Sequence, residues 1–321
     1  MLKKYLLLLL LAVPLLAPAQ RRPVAHPRPK KAVAVAKKAA PSVQQPAFLR
    51  YLHSPWVDSL MRTLTPRQRV AQLFMLAAYS NKPAIYQDSI STLIKDYGIG
   101  GLIFFQGGPV RQARLLNRFQ GQSRVPLLIA MDGEWGAGMR LDSVLKFPYQ
   151  MSLGAVPVAD SLLIYDMGRE VARQFTRLGM QVNFAPVVDV NNNPANPVIG
   201  FRSWGENPAA VARLSRLYMK GMQDAGVLAV AKHFPGHGDV DADSHLALPV
   251  VRADYERLET LELPPFKSMI ANGIGGMMVA HLSVPALDTV RGPSTLSKPI
   301  VTGILRQQLG FKGVVFTDAM N

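Results

Sequence analysis

From Trp56 onward, short apolar runs alternate with longer amphipathic stretches, and seven of the runs have the length and the β-branched or aromatic content of strands. They fall at 73–78, 101–105, 126–131, 182–188, 227–232, 276–281 and 314–317. The stretches between them carry helix signals. Thr65-Pro66 and Asn207-Pro208 each offer an N-cap residue followed by Pro at the first helical position. Ile164, Met167, Val171, Phe175 and Leu178 recur at helical spacing on one face, and Gly179 stops that helix. Strict alternation of helix with nearly continuous apolar strands predicts an α/β protein built on a parallel sheet.

An open doubly wound sheet and a closed barrel share that alternation, so the polar residues decide between them. Asp132 follows the third strand and Asp189 the fourth; Lys232 and His233 follow the fifth, His281 the sixth and Asp318 the seventh. Titratable residues leaving the C-terminal end of five successive strands match a barrel, whose chemistry is drawn from many strand ends. No G-x-G-x-x-G turn follows the first strand, as a dinucleotide-binding sheet would require. The expected fold is therefore a (β/α)8 TIM-type barrel. The sequence stops at Asn321, before an eighth strand, so the expectation is a barrel truncated after its seventh strand, with further C-terminal domains able to follow.

The N-terminal segment reads differently. Lys3 and Lys4 precede an apolar run from Leu6 to Val13, and Ala17-Pro18-Ala19 places small residues where a signal peptidase reads, so 1–19 is a predicted signal peptide. Pro14 breaks the run short of the roughly 20 apolar residues of a spanning helix, so no stable membrane insertion is expected after cleavage. Residues 20–46 form a basic Pro/Ala/Lys-rich linker, and 47–321 form the barrel domain. The chain carries 36 Lys plus Arg against 21 Asp plus Glu, for a formal charge of +15, and nine of its basic residues lie within 1–46 with no acidic one. Because the excess sits mainly in the linker and not on a folded face, nucleic acid is set aside as a partner. The absence of cysteine excludes a disulfide scaffold and Cys-ligated metal centres. Export to the periplasm or the extracellular space is the expected location.

The densest chemistry lies at 232–245, where His233, His237 and His245 alternate with Asp239, Asp241 and Asp243. His233 and His237 are four apart, which aligns zinc ligands only on a helix, and Pro235, Gly236 and Gly238 break any helix there. The three aspartates imitate half of a calcium loop, but Ser244 stands where the turn glycine belongs and Val250 where the bidentate glutamate belongs. No metal or other cofactor is expected. Asp243 and His245 are two apart, so in extended chain they share a side, either as an acid/base pair titrating near neutrality or as a solvated surface pair.

Five ordered motifs resemble glycoside hydrolase family 3. These are the Asn-Phe-Ala-Pro-Val-Val-Asp run at 183–189, Gly-Phe-Arg-Ser-Trp-Gly at 200–205, the Lys-His-Phe-Pro-Gly-His-Gly run at 232–238 with Asp243-Ser244-His245, Ala280-His281, and the 310–318 segment ending in Asp318. The third is similar to the signature of the family's β-N-acetylglucosaminidase (β-N-acetylhexosaminidase) branch. The resemblance implies a (β/α)8 barrel that removes terminal β-linked N-acetylglucosamine from an oligosaccharide with retention. It places Asp318 on the catalytic nucleophile, His245 on the acid/base and Asp243 on its dyad partner. Asp132, Arg140, Arg202, Lys232 and His233 fall on positions that hold sugar hydroxyls, and His281 is a further substrate-binding or pocket-shaping candidate. On this reading Arg202 and Lys232 keep Asp318 ionised, and Trp135 and Trp204 are candidate sugar platforms. Trp135 replaces the glycine common in relatives. Cell-wall or chitin-type saccharides are the expected substrates; a phosphorylase and a non-catalytic glycan-binding envelope module are the competing readings.

Overall fold

The computed structural model describes residues 45–240, 248–290 and 292–320. The predicted signal segment, nearly all of the linker, and Asp243 and His245 lie outside the described residues. Seven strands, β1 (Met75–Ala78), β2 (Gly101–Phe104), β3 (Leu128–Met131), β4 (Val182–Asn183), β5 (Leu228–Phe234), β6 (Gly276–Val279) and β7 (Val314–Thr317), form one parallel sheet in sequence order. That is the order of a (β/α)8 barrel. The helices that pack on its outer face include α1 (Leu162–Arg177), α2 (Pro208–Asp224) and α3 (Leu263–Ala271).

Side-chain alternation separates two apolar layers. Leu102, Phe104, Ile129, Met131, Met277 and Val279 face the helices in the large core. Ile103, Ala130, Val182, Phe184, Val230, Met278 and Phe316 form a second cluster on the opposite face. Phe184, just past β4, touches Phe316 of β7 with ring centroids 5.1 Å apart. Strands three apart in a flat sheet would lie about 14 Å from one another, so the sheet curls and the second cluster fills its concave side. Carried two residues onward, the inner parity of Ala130, Val230 and Phe316 falls on Asp132, Lys232 and Asp318.

The helix signals take the expected form. Thr65 and Gln68 form a reciprocal capping box, and the Asn207 side chain accepts from the backbone N–H of Ala209 and Ala210. The predicted apolar face of α1 is buried at Ile164, Met167, Val171 and Phe175, and Gly179 ends the turn at φ +72°. α1 and α2 cross through glycine: a Cβ on Gly221 would stand 2.1 Å from the Tyr165 carbonyl oxygen, and one on Gly168 2.4 Å from that of Tyr218. The main departure is β4, predicted through Val188 but laddered only over Val182–Asn183. Pro186 has no N–H to donate. Beyond that point β5 is met by single bonds, Val230 N to Ala185 O, Lys232 N to Pro186 O and Val188 N to Lys232 O.

Candidate active site

The ends of β3 and β5 meet at one lysine. Lys232 Nζ, with a side chain only 3% exposed, stands 2.8 Å from Asp132 Oδ1 and 2.8 Å from Glu134 Oε1. Asp132 and Glu134 leave the end of β3 two residues apart, so both carboxylates lie on the side that meets Lys232. Asp132 Oδ2 accepts from Arg140 Nη2 at 2.8 Å, and Glu134 accepts from Arg202 Nε at 2.9 Å and Nη2 at 2.6 Å. Arg202 Nη2 continues to His233 Nε2 at 3.3 Å, and His233 Nδ1 lies 2.7 Å from Asp189 Oδ2. The result is a continuous hydrogen-bonded chain, Arg140–Asp132–Lys232–Glu134–Arg202–His233–Asp189.

The backbone around this chain is pinned by its own polar clamps. Asn183 accepts from Gly133 N–H at 2.9 Å and donates to Gly133 O at 3.1 Å, and the Tyr218 hydroxyl donates to Glu134 O at 3.0 Å. Arg202 is set by the segment after β4, where Ser203 Oγ donates to Asp189 O and Trp204 Nε1 to Val187 O. Trp204 is fully buried, so it packs the core and does not serve as a sugar platform. The loops after β4 and β5 are joined by Asn192 Nδ2 to Asp239 Oδ1 at 3.0 Å and Asn196 Nδ2 to His237 O at 2.8 Å.

Burial would raise the Glu134 carboxyl, but Arg202 and Lys232 outweigh it and hold the group well below the usual carboxylate range. Asp132 follows the same logic, with burial opposed by Lys232 and Arg140. Asp189, also buried, is lowered by His233 and by the N–H of His237. His237 moves the other way for a base: burial, the largest cause, pushes it down to about 4 from 6.5. A histidine depressed in the folded state gives stability that is complete above the unfolded pKa and is lost as pH falls from 6.5 toward 4, here roughly 3 kcal/mol in total. Unfolding free energies measured by urea titration across that window should therefore fall more steeply for the parent than for His237→Gln. Parallel curves would rule out this contribution.

Five of the predicted sugar-binding residues, Asp132, Arg140, Arg202, Lys232 and His233, thus meet in one chain. His281 does not join it: it follows the helix-facing parity of Met277 and Val279, and its buried Nδ1 has no hydrogen-bond partner among the described residues. Asp318 is partly exposed, and its carboxylate accepts from Ala319 N–H at 2.8 Å. Arg202 and Lys232, expected to keep Asp318 ionised, make their ion pairs with Glu134 and Asp132, and among the described residues neither is paired with Asp318. Asp243 and His245 lie outside the described residues. Glu134 and Asp189 were not recognised as site residues from sequence. The Asp-x-Glu spacing at 132–134 was the available signal for the first; for Asp189 it was its place at the end of the 183–189 motif. Trp135 packs edge-on to Tyr149, with centroids 4.8 Å apart. Among the described residues, no group of three or more His, Asp or Glu is placed to hold a metal ion.

A curled parallel sheet with a polar chain at its strand ends is the framework of a barrel enzyme. The profile of the glycosyl hydrolase family 3 N terminal domain matches residues 65–321, and the chain belongs to that family. It is 38% identical over 308 residues to a protein of Pseudoalteromonas piscicida named beta-hexosaminidase A, covering 85% of this chain and 52% of that one. Among solved structures, a family 3 beta-N-acetylglucosaminidase from Paenibacillus sp. FPU-7 is 42% identical with a TM-score of 0.75, covering 80% of this chain and 49% of the other. A beta-glucoside phosphorylase, BglX, bound to 2FGlc is 26% identical with a TM-score of 0.77, covering 82% and 48%. The chain therefore spans about half the length of these relatives.

Proposed function

We propose that this chain is the catalytic barrel of an exported, exo-acting β-N-acetylhexosaminidase that removes terminal β-linked N-acetylglucosamine from cell-wall or chitin-type saccharides. The observation that carries the reading is the partly buried chain from Arg140 to His233, an array of donors and acceptors at the strand ends of a family whose relatives include named beta-hexosaminidases. In the proposed reaction, ionised Asp318 attacks the anomeric carbon as the glycosidic bond breaks, and His245 gives its proton to the leaving oxygen. His245 then takes a proton from water, which displaces Asp318 and releases the sugar with its configuration retained. Asp243 orients the imidazole and stabilises its charged form. Asp132, Arg140, Arg202, Lys232 and His233 hold the terminal sugar.

The similarity to a beta-glucoside phosphorylase supports a second reading, in which phosphate replaces water in the second step. Turnover of aryl β-N-acetylglucosaminide and aryl β-glucoside, with and without phosphate, separates the two. Free N-acetylglucosamine appearing first as its β-anomer, with the glucoside nearly inert, is the expected result. A sugar 1-phosphate product would establish the phosphorylase. No turnover of either substrate would favour a glycan-binding module.

A further inference from the structure

Asp189 is a buried carboxylate with an unusual set of donors. Oδ1 accepts the backbone N–H of His237 at 2.7 Å, while Oδ2 receives the backbone N–H of His233 at 3.1 Å and lies 2.7 Å from the same residue's Nδ1. Its side chain is wholly inaccessible to solvent. On the other side of the imidazole, Nε2 meets Arg202 Nη2 at 3.3 Å, and the guanidinium is itself fixed by Glu134. An ionised carboxylate can only accept and a guanidinium can only donate. These two neighbours therefore demand opposite roles of the two ring nitrogens.

We infer that Asp189 is a positioning residue that holds His233 as the neutral tautomer with its proton on Nδ1 and the Nε2 lone pair turned toward Arg202. The inference rests on the proposed glycosidase reading only for its catalytic consequence. An imidazolium, or the tautomer with the proton on Nε2, would set an N–H against the Arg202 N–H across 3.3 Å. The partner of one histidine nitrogen selects the state of the other. In the fixed tautomer both ring nitrogens are engaged, Nδ1–H by Asp189 and the Nε2 lone pair by Arg202, so the imidazole helps to fix the guanidinium at the strand ends. The same carboxylate, through His237 N–H, also ties the start of the loop after β5 to the segment that follows β4.

Asp189→Asn keeps the shape but presents an amide. With its oxygen in the place of Oδ1, which lies 2.7 Å from His237 N and 3.3 Å from His233 N, its NH2 takes the place of Oδ2 and faces Nδ1, which must become an acceptor and send the proton to Nε2. The test is a two-bond 1H–15N spectrum of histidine-labelled full chain at pH 7.5 without any sugar, the His233 signal being assigned by its loss in His233→Gln. The expected result is an Nδ1–H neutral ring in the parent and an Nε2–H ring in Asp189→Asn. A parent ring that is doubly protonated, or protonated on Nε2, overturns the inference even if the variant does not fold, and so does a variant with an unchanged tautomer. In the active enzyme, Asp189→Asn should lower kcat/KM about 10- to 100-fold, the usual scale for a group that orients another. An unchanged kcat/KM would overturn the positioning role. Because the tautomer is read without substrate, failure of the glycosidase reading leaves that result standing.

Discussion

Asp318→Ala is expected to abolish aryl β-N-acetylglucosaminide turnover, by about 10⁴-fold or more, while leaving the unfolding midpoint nearly unchanged. The two halves of this expectation have separate causes. As proposed nucleophile, the carboxylate supplies the covalent step, and no neighbouring group can replace its oxygen. Structurally, it is partly exposed and accepts from the N–H of Ala319, a bond whose net worth is on the order of 1 kcal/mol. Its backbone N–H, which donates to Val279 O at 2.9 Å, is retained in the variant. Residual turnover within 10-fold of the parent would remove Asp318 from the role. Lost activity together with a large fall in the unfolding midpoint would show that the residue holds the β7 end in place.

Lys232→Met should have the opposite emphasis. The ammonium is nearly inaccessible and shared between two carboxylates at 2.8 Å each. Its removal leaves Asp132 with Arg140 and Glu134 with Arg202, but two carboxylates then face one another in a region of low dielectric with no cation between them. Breaking a buried pair from one side costs about 3–5 kcal/mol, and denaturant unfolding should show a loss of that size. Adding Glu134→Gln to Lys232→Met removes one of the stranded charges and should recover part of the loss, which a double-mutant cycle measures. A single-variant cost below about 1 kcal/mol would mean that the lysine is not the keystone described here.

The sequence revealed different layers of this site to different degrees. The alternation of apolar runs placed Asp132, Lys232 and Asp318 at the C-terminal ends of the third, fifth and seventh strands before any contact was known. The motifs around Arg202 and His233 marked them as site residues. The pairing was hidden, because Lys232 and Asp132 are 100 residues apart and only the curl of the sheet brings them together. That is why the direct partner of Lys232 and Arg202 was not foreseen: Asp318 was the acid the motif made visible, whereas Glu134 sat unremarked two residues beyond Asp132. The overlong β4 has a local cause, since apolar content through Val188 signals a strand but does not reveal that Pro186 withholds its N–H.

The chain from Arg140 to Asp189 also has a consequence for what the pocket can attract. Arg140, Lys232 and Arg202 carry three positive charges, Asp132, Glu134 and Asp189 carry three negative ones, and His233 in its assigned tautomer carries none. The strongly basic character of the whole sequence is thus absent from its most elaborate polar assembly. Such an array exerts little long-range pull on an anion and sorts its ligands by the placement of hydroxyl groups at close range. An uncharged saccharide would enter without displacing a counterion, and its binding should be nearly indifferent to ionic strength.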